Sequence, residues 1–272
     1  MTEHSGVGST EPLRSGGVGS AGAGVGTIVH QLRVEQKVFW RNRESAVFVF
    51  IFPVLLYVLL ASVYGRRIEG YPSEEVLLAG LLGYGAANTA FAGLAISLVI
   101  RRESGLLKRL RATPLPPAQY LTAAVTSILV VFTLQTITLF AIGRIAFGAP
   151  LPHNAASVAM LIVIGVAGFG GLGFGAASLI RSAEGASAVV NVVLLPMAFV
   201  SGSFGPARHL PRVLQWVADV LPLKYYVDLA ERVYLGGAHV WSKPGWVAMV
   251  LVWGLAGYVV AARRFRWEPR ER

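Results

Sequence analysis

Few side chains in this 272-residue chain can do chemistry, and their spacing excludes most reactions before any fold is considered. Cysteine is absent, which removes disulfides, thiolate metal sites and a thiol nucleophile. The histidines (His4, His30, His153, His209 and His239) include no HExxH pair, and none has a second metal ligand at helical spacing. No GxSxG nucleophile elbow occurs. The only aspartates, Asp219 and Asp228, lie outside the apolar blocks. None of the lysines (Lys37, Lys108, Lys224 and Lys243) belongs to a GxxxxGK[ST] loop. The chain therefore lacks a phosphate-cradling P-loop, and it is not expected to hydrolyse ATP or to hold a cofactor or metal of its own.

One polar stretch has a pattern that suits binding rather than catalysis. Residues 101–117 read Arg-Arg-Glu-Ser-Gly-Leu-Leu-Lys-Arg-Leu-Arg-Ala-Thr-Pro-Leu-Pro-Pro. On a short helix Leu106, Leu107 and Leu110 share one side, with Lys108, Arg109 and Arg111 on the flanks. The prolines from Pro114 to Pro117 stop that helix and stiffen the return. A small rigid helix with an exposed leucine face is expected to dock into a partner, with Glu103, Ser104 and Gly105 at its start. The competing reading is a solvated basic loop that only orients the chain.

The elements that must position this loop are apolar. Hydrophobic residues make up 54% of the chain and charged residues 14%, about half the ~25% usual in soluble domains. Mean hydropathy is +0.60. The apolar residues gather into blocks near the ~20 residues that cross a bilayer, at about 46–64, 76–100, 120–147, 157–180, 187–204 and 246–262. The expected architecture is all-α, a polytopic membrane protein of six spans. The net charge of +10 resides in basic residues at the ends of these blocks, which favours membrane orientation and excludes nucleic acid as the expected partner. With both termini inside, sixteen of the 24 Lys and Arg residues fall on the inner side and seven on the outer, while Arg144 lies within the third span and is expected to snorkel. A multi-pass cell-membrane protein with cytoplasmic termini follows.

The flanking segments divide the chain. Residues 1–27, rich in Gly and Ser, read as a disordered cytoplasmic tail and not as a signal peptide. Residues 28–265 form the membrane domain, and 266–272 a cytoplasmic tail. At 28–41 a helical pattern places Ile28, Val29, Leu32, Phe39 and Trp40 on one arc and His30, Arg33, Lys37 and Arg41 on another. Such a helix suits the headgroup plane, with Arg33, Lys37 and Arg41 toward anionic lipid. Between the last two spans, Pro211 and Pro222 each open a short apolar helical pattern, expected as outer re-entrant or interfacial helices.

Inside the spans ionisable residues are nearly absent, so a proton- or sodium-coupled carrier is disfavoured and energy must enter from another chain. Asn88 and Asn191 lie nearer mid-depth and could line a pathway or bond between helices. Gly171 and Gly175, in a glycine-rich fourth span, suit either intrachain packing or a homodimer seam.

The stretch from Arg102 to Pro114 resembles the E-x-G-[TL]-L-E-x-L-x-x-[TS]-P segment of the ABC-2 exporter permeases, with Lys108 where that family often has an acid. The segment from Pro222 to Arg232 is similar to that family's P-x-x-Y-x-x-[ED]-x-x-R segment. The resemblance implies a permease subunit, paired with a second permease. Each would dock through the 101–117 loop on a separate ATP-binding subunit that holds ATP and Mg. It also implies export of hydrophobic drugs, lipids or glycolipid-type molecules, with the drug-resistance branch nearest. The alternatives are an ATP-independent secondary transporter and a membrane assembly factor.

Overall fold

The computed structural model describes residues 20–111, 117–207 and 210–265, without the side chains of 20–25, Ser45, Leu110, Arg111 and Pro117. The expectations for residues 1–19, for the 266–272 tail and for the proline run at 114–116 lie outside the described residues. Six helical stretches are long and apolar enough to cross a membrane. An N-terminal helix α1 (Ser20–Arg41) leads into the first span, α2 (Arg43–Val63). A tight hairpin follows, pairing β1 (Arg67–Ile68) with β2 (Tyr71–Pro72), and Glu69 and Gly70 take the positive φ that a two-residue turn requires.

Span two is α3 (Ser73–Ala86), a π-helical segment (Ala87–Gly93) and α4 (Leu94–Glu103) in one continuous run. After a turn comes the short α5 (Leu106–Arg111), then span three, α6 (Pro117–Phe147), span four, α7 (Ala155–Leu179), and span five, α8 (Ala183–Val200). Two shorter helices, α9 (Arg212–Val220) and α10 (Pro222–Tyr234), precede span six, α11 (Pro244–Arg264).

Several boundaries depart from expectation for local reasons. α1 begins at Ser20, so residues 20–27 belong to a helix rather than to the tail, because extending a formed helix is far easier than nucleating one. Span five runs Ala183–Val200 instead of 187–204. The Ser182 hydroxyl accepts from the Gly185 amide to start it, and Gly202 and Gly205, both at positive φ, turn the chain away after it.

Span two is the centre of the bundle. Of its apolar stretch 78% is buried, against 11% for span one, and spans one, three, four and five surround it. Span four packs most closely on span six. A methyl group at Gly171 would overlap the Gly254 carbonyl, one at Gly257 would overlap the Gly171 carbonyl, and one at Gly175 would lie 3.0 Å from the Gly257 Cα. Without a hydrophobic drive between helices in lipid, this backbone approach supplies the attraction. The homodimer-seam expectation for Gly171 and Gly175 is thus corrected, since both are covered by span six of the same chain.

The two shorter helices differ from each other. α10 is drawn into the bundle by Leu223, Tyr226, Val227, Ala230 and Val233, all fully buried, and Gly83 of α3 leaves room for Val227. The Tyr226 hydroxyl donates to the Leu161 carbonyl at 3.0 Å, and burial raises its pKa. α9 instead exposes Val213, Trp216 and Val220. Lys224 pairs with Asp219 between the two helices, and that hydrogen bond raises the Lys224 pKa.

The seam yields a paired expectation. Gly171→Ala should lower stability by about 1–3 kcal/mol through overpacking. Gly170→Ala, whose added methyl would only touch the Tyr258 hydroxyl at 3.7 Å, should stay within about 0.5 kcal/mol. Thermal unfolding of both variants in one detergent measures the difference.

Candidate functional site: the root of the loop after span two

Consecutive residues on a helix point about 100° apart, and Arg101 and Arg102 use that angle to grip two different parts of the bundle. Arg101 reaches α1, where its guanidinium meets the Glu35 carboxylate at 2.7 and 2.8 Å. The same group donates to the Tyr120 hydroxyl of α6 at 2.8 Å. Side-chain exposure is 15% for Arg101 and 8% for Glu35, so water screens the pair little. The next residue of α1, Gln36, donates to the carbonyl and hydroxyl of Ser127 at 3.0 and 2.9 Å. α1 is therefore fastened to span three through polar groups on its inner face, beside Ile28, Leu32 and Phe39.

Arg102 turns to the C-terminus of span four. It is 1% exposed and donates to the carbonyls of Ala177 at 2.9 Å and Ile180 at 2.8 Å. The last carbonyls of a helix lack intrahelical donors and carry its negative end, so a cation there satisfies both hydrogen bonding and dipole. Glu103 is half-buried, with a carboxylate oxygen 3.5 Å from the Arg102 Nε.

The loop then reverses through Ser104 and Gly105, the latter at φ +72°. Ser104 is exposed and its hydroxyl donates to the Arg101 carbonyl. In α5 the expected leucine face is divided. Leu106 is 42% exposed, whereas Leu107 is fully buried in the bundle core. This corrects the expectation of an exposed face shared by Leu106 and Leu107. α5 lies against the bundle, so one flank must face inward. Lys108 and Arg109 are exposed beside Leu106, while the side chains of Leu110 and Arg111 lie outside the described residues.

The other expected residues separate. On α1, Leu32 and Phe39 are half-buried against the bundle, while Arg33, Lys37, Trp40 and Arg41 face outward. Asn88 is buried in the π-helical segment of span two. Asn191 is half-exposed on span five and bonds back to the Ser187 carbonyl of its own helix.

The ABC-2 type transporter family matches residues 29–235, from α1 through the end of α10. The chain belongs to the ABC-2 type transporter family. It is 25% identical over 211 residues to a Bacillus subtilis (strain 168) protein named as the transport permease YvfS, covering 77% of this chain and 86% of that one. It is 28% identical over 174 residues to an Escherichia coli (strain K12) protein named as the multidrug ABC transporter permease YbhR. That match covers 62% of this chain and 47% of the relative, so the ABC-2 chain spans about half the length of this E. coli protein. The inner membrane transport permease YhhJ of the same strain is 25% identical over 174 residues, covering 62% of this chain and 46% of that one. The protein is a multi-pass membrane transport permease.

Glu35, Tyr120, Gln36 and Ser127 were not singled out by the sequence pattern. For Glu35 a signal was present: it occupies the same helical stripe as Ile28, Leu32 and Phe39, where an acid has to be paired. Its partner, Arg101, reads in sequence as an orienting charge only. A double-mutant cycle on Glu35→Ala and Arg101→Ala should give a coupling of about 1–3 kcal/mol in thermal unfolding, with each single variant destabilised.

Proposed function

We propose that this permease is the membrane subunit of an ATP-driven exporter and receives its work from a separate ATP-binding subunit docked at α5. The observation that carries this reading is the two-arginine root. Motion imposed on the exposed Leu106–Lys108–Arg109 surface has a direct route to α1 and span three through Arg101 and to span four through Arg102. The absence of a P-loop lysine from the sequence supports a partner as the site of hydrolysis, with ATP and Mg held there. The word multidrug in the name of the E. coli relative YbhR supports a drug-type cargo, and on this proposal that cargo is a hydrophobic drug, lipid or glycolipid moved outward.

In this reading two permease chains pair, as a homodimer or with a second permease. Both termini face the cytoplasm, in accord with the basic residues of α1, α5 and the end of span six. The outward Arg33, Lys37 and Arg41 of α1 meet anionic headgroups at that surface, flanked by exposed Trp40.

Docking is tested by purifying the tagged chain from its own membranes and identifying a Walker A protein with it. Leu106→Asp with Arg109→Glu should insert and unfold normally yet hold that partner about 10- to 100-fold more weakly, since one leucine of buried surface contributes about 1.5–3 kcal/mol. Unchanged copurification by that variant removes α5 as the docking surface. The chain contains no cysteine, so orientation is tested with single Cys variants. Ser104→Cys should react only from the cytoplasmic side and Ser62→Cys only from outside.

A further inference from the structure

Proline lacks an amide hydrogen, so Pro53 leaves the carbonyl four residues before it, that of Val49, without a helical donor inside span one. In hydrocarbon no water can fill that vacancy. The donor comes from span three: the Gln135 side-chain amide donates to the Val49 carbonyl at 3.0 Å. That contact also fixes which way the amide faces, because a carbonyl can only accept. The Gln135 oxygen is thereby turned toward span two, where it accepts from the Thr89 hydroxyl at 2.8 Å. Gln135 and Thr89 are both about 4% exposed.

Thr89 lies in the π-helical segment Ala87–Gly93, the one departure from regular α-helix within the central span. Such insertions widen the hydrogen-bond ring and weaken the local ladder. On its other side the segment meets Gly173 of span four, where an added methyl would come within 2.9 Å of the Ala90 and Phe91 carbonyls. The irregular turn is thus held between a glycine of span four and a single amide from span three, and that same amide completes the kinked turn of span one.

We infer that Gln135 is a positioning residue for a hinge in span two: by joining the proline-freed carbonyl of span one to the π-helical segment, it sets the angle at which α4 carries Arg101, Arg102 and the loop beyond them. Thr89 and Pro53 are the other two members of the device. Outside the membrane the cost of a broken link is one solvated hydrogen bond. Here the Val49 carbonyl loses its donor in a medium without water, and the Thr89 hydroxyl has to turn to a carbonyl of its own helix, as Thr126, Thr133 and Thr138 do. The link between spans one and two is then lost. The inference deepens the reading of the permease as a machine driven through the loop after span two, but its test needs no partner and no substrate.

The test uses the full chain in lipid nanodiscs, spin-labelled at Ser62→Cys on the outer end of span one and at Ser104→Cys after α4. Both sites are exposed, and the chain supplies no other thiol. With Gln135 in place the distance distribution should be narrow. Gln135→Leu should broaden it or shift its centre, and Thr89→Val should do so in the same direction. A purely structural role would lower the melting temperature and leave the distribution unchanged, which overturns the proposal.

Proline supplies the second arm. Pro53→Ala restores the helical donor to Val49, so Gln135→Leu should cost about half as much melting temperature in that background as in the native one. Equal losses in both backgrounds show that Gln135 does not serve the proline-freed carbonyl, and the proposal fails. Failure of partner copurification in the earlier experiment leaves both arms readable, so the two readings fall separately.

Discussion

A backbone carbonyl that loses its helical donor inside a membrane protein must find another within the protein, and this requirement organises much of the bundle. At the C-terminal end of span four the donor is the Arg102 guanidinium, reaching across from span two. At the proline of span one it is the Gln135 amide from span three. At the end of α9 it is the Trp253 indole of span six, which donates to the Val220 carbonyl. Each of these contacts crosses from one element to another, so a break in one helix becomes a link between two. Spans one, three and four are tied in this way to the central one, directly or through Gln135.

The same logic explains why charge is admitted at the C-terminal end of span two. Burial of an arginine is costly unless its hydrogen bonds are met, and both arginines there meet theirs with different partners. Arg101 is neutralised by Glu35 and also bonds to Tyr120, while Arg102 donates to the carbonyls that end span four, with the Glu103 carboxylate 3.5 Å from its Nε. The carbonyl set places Arg102 at the negative end of a helix. A loop rooted in two such contacts cannot swing freely on its own. Force applied at α5 has to be shared with α1, span three and span four, which is the mechanical condition for the proposed coupling.

Glycine has the opposite part. Between spans four and six the backbones approach until no side chain fits, and the contact is made by dispersion over a long face. Such a seam is rigid and leaves few alternative arrangements. Polar links, by contrast, can exchange partners. The bundle therefore joins a stiff pair, spans four and six, to a group of helices held by specific hydrogen bonds around an irregular turn.

Amino-acid order alone determined the class of this protein and much of its plan. Apolar block length fixed the six spans, because hydrocarbon thickness sets the number of residues required. The lack of a P-loop lysine set the expectation that ATP is hydrolysed elsewhere, and the run from Arg102 to Pro114 pointed to the family that residues 29–235 match. Tertiary structure decided which faces meet. The period of α1 marked its apolar stripe but not that Glu35 within it would find Arg101, sixty-six residues away in sequence. Leu106 and Leu107 are identical in composition, and only the lie of α5 against the bundle sends one outward and the other into the core. Gly171 and Gly175 announced a close contact without naming its partner, since spacing along one helix carries no information about the other. Gln135 was silent for the same reason: its meaning depends on a proline in another span and a threonine in a third, and only their meeting in space gives it one.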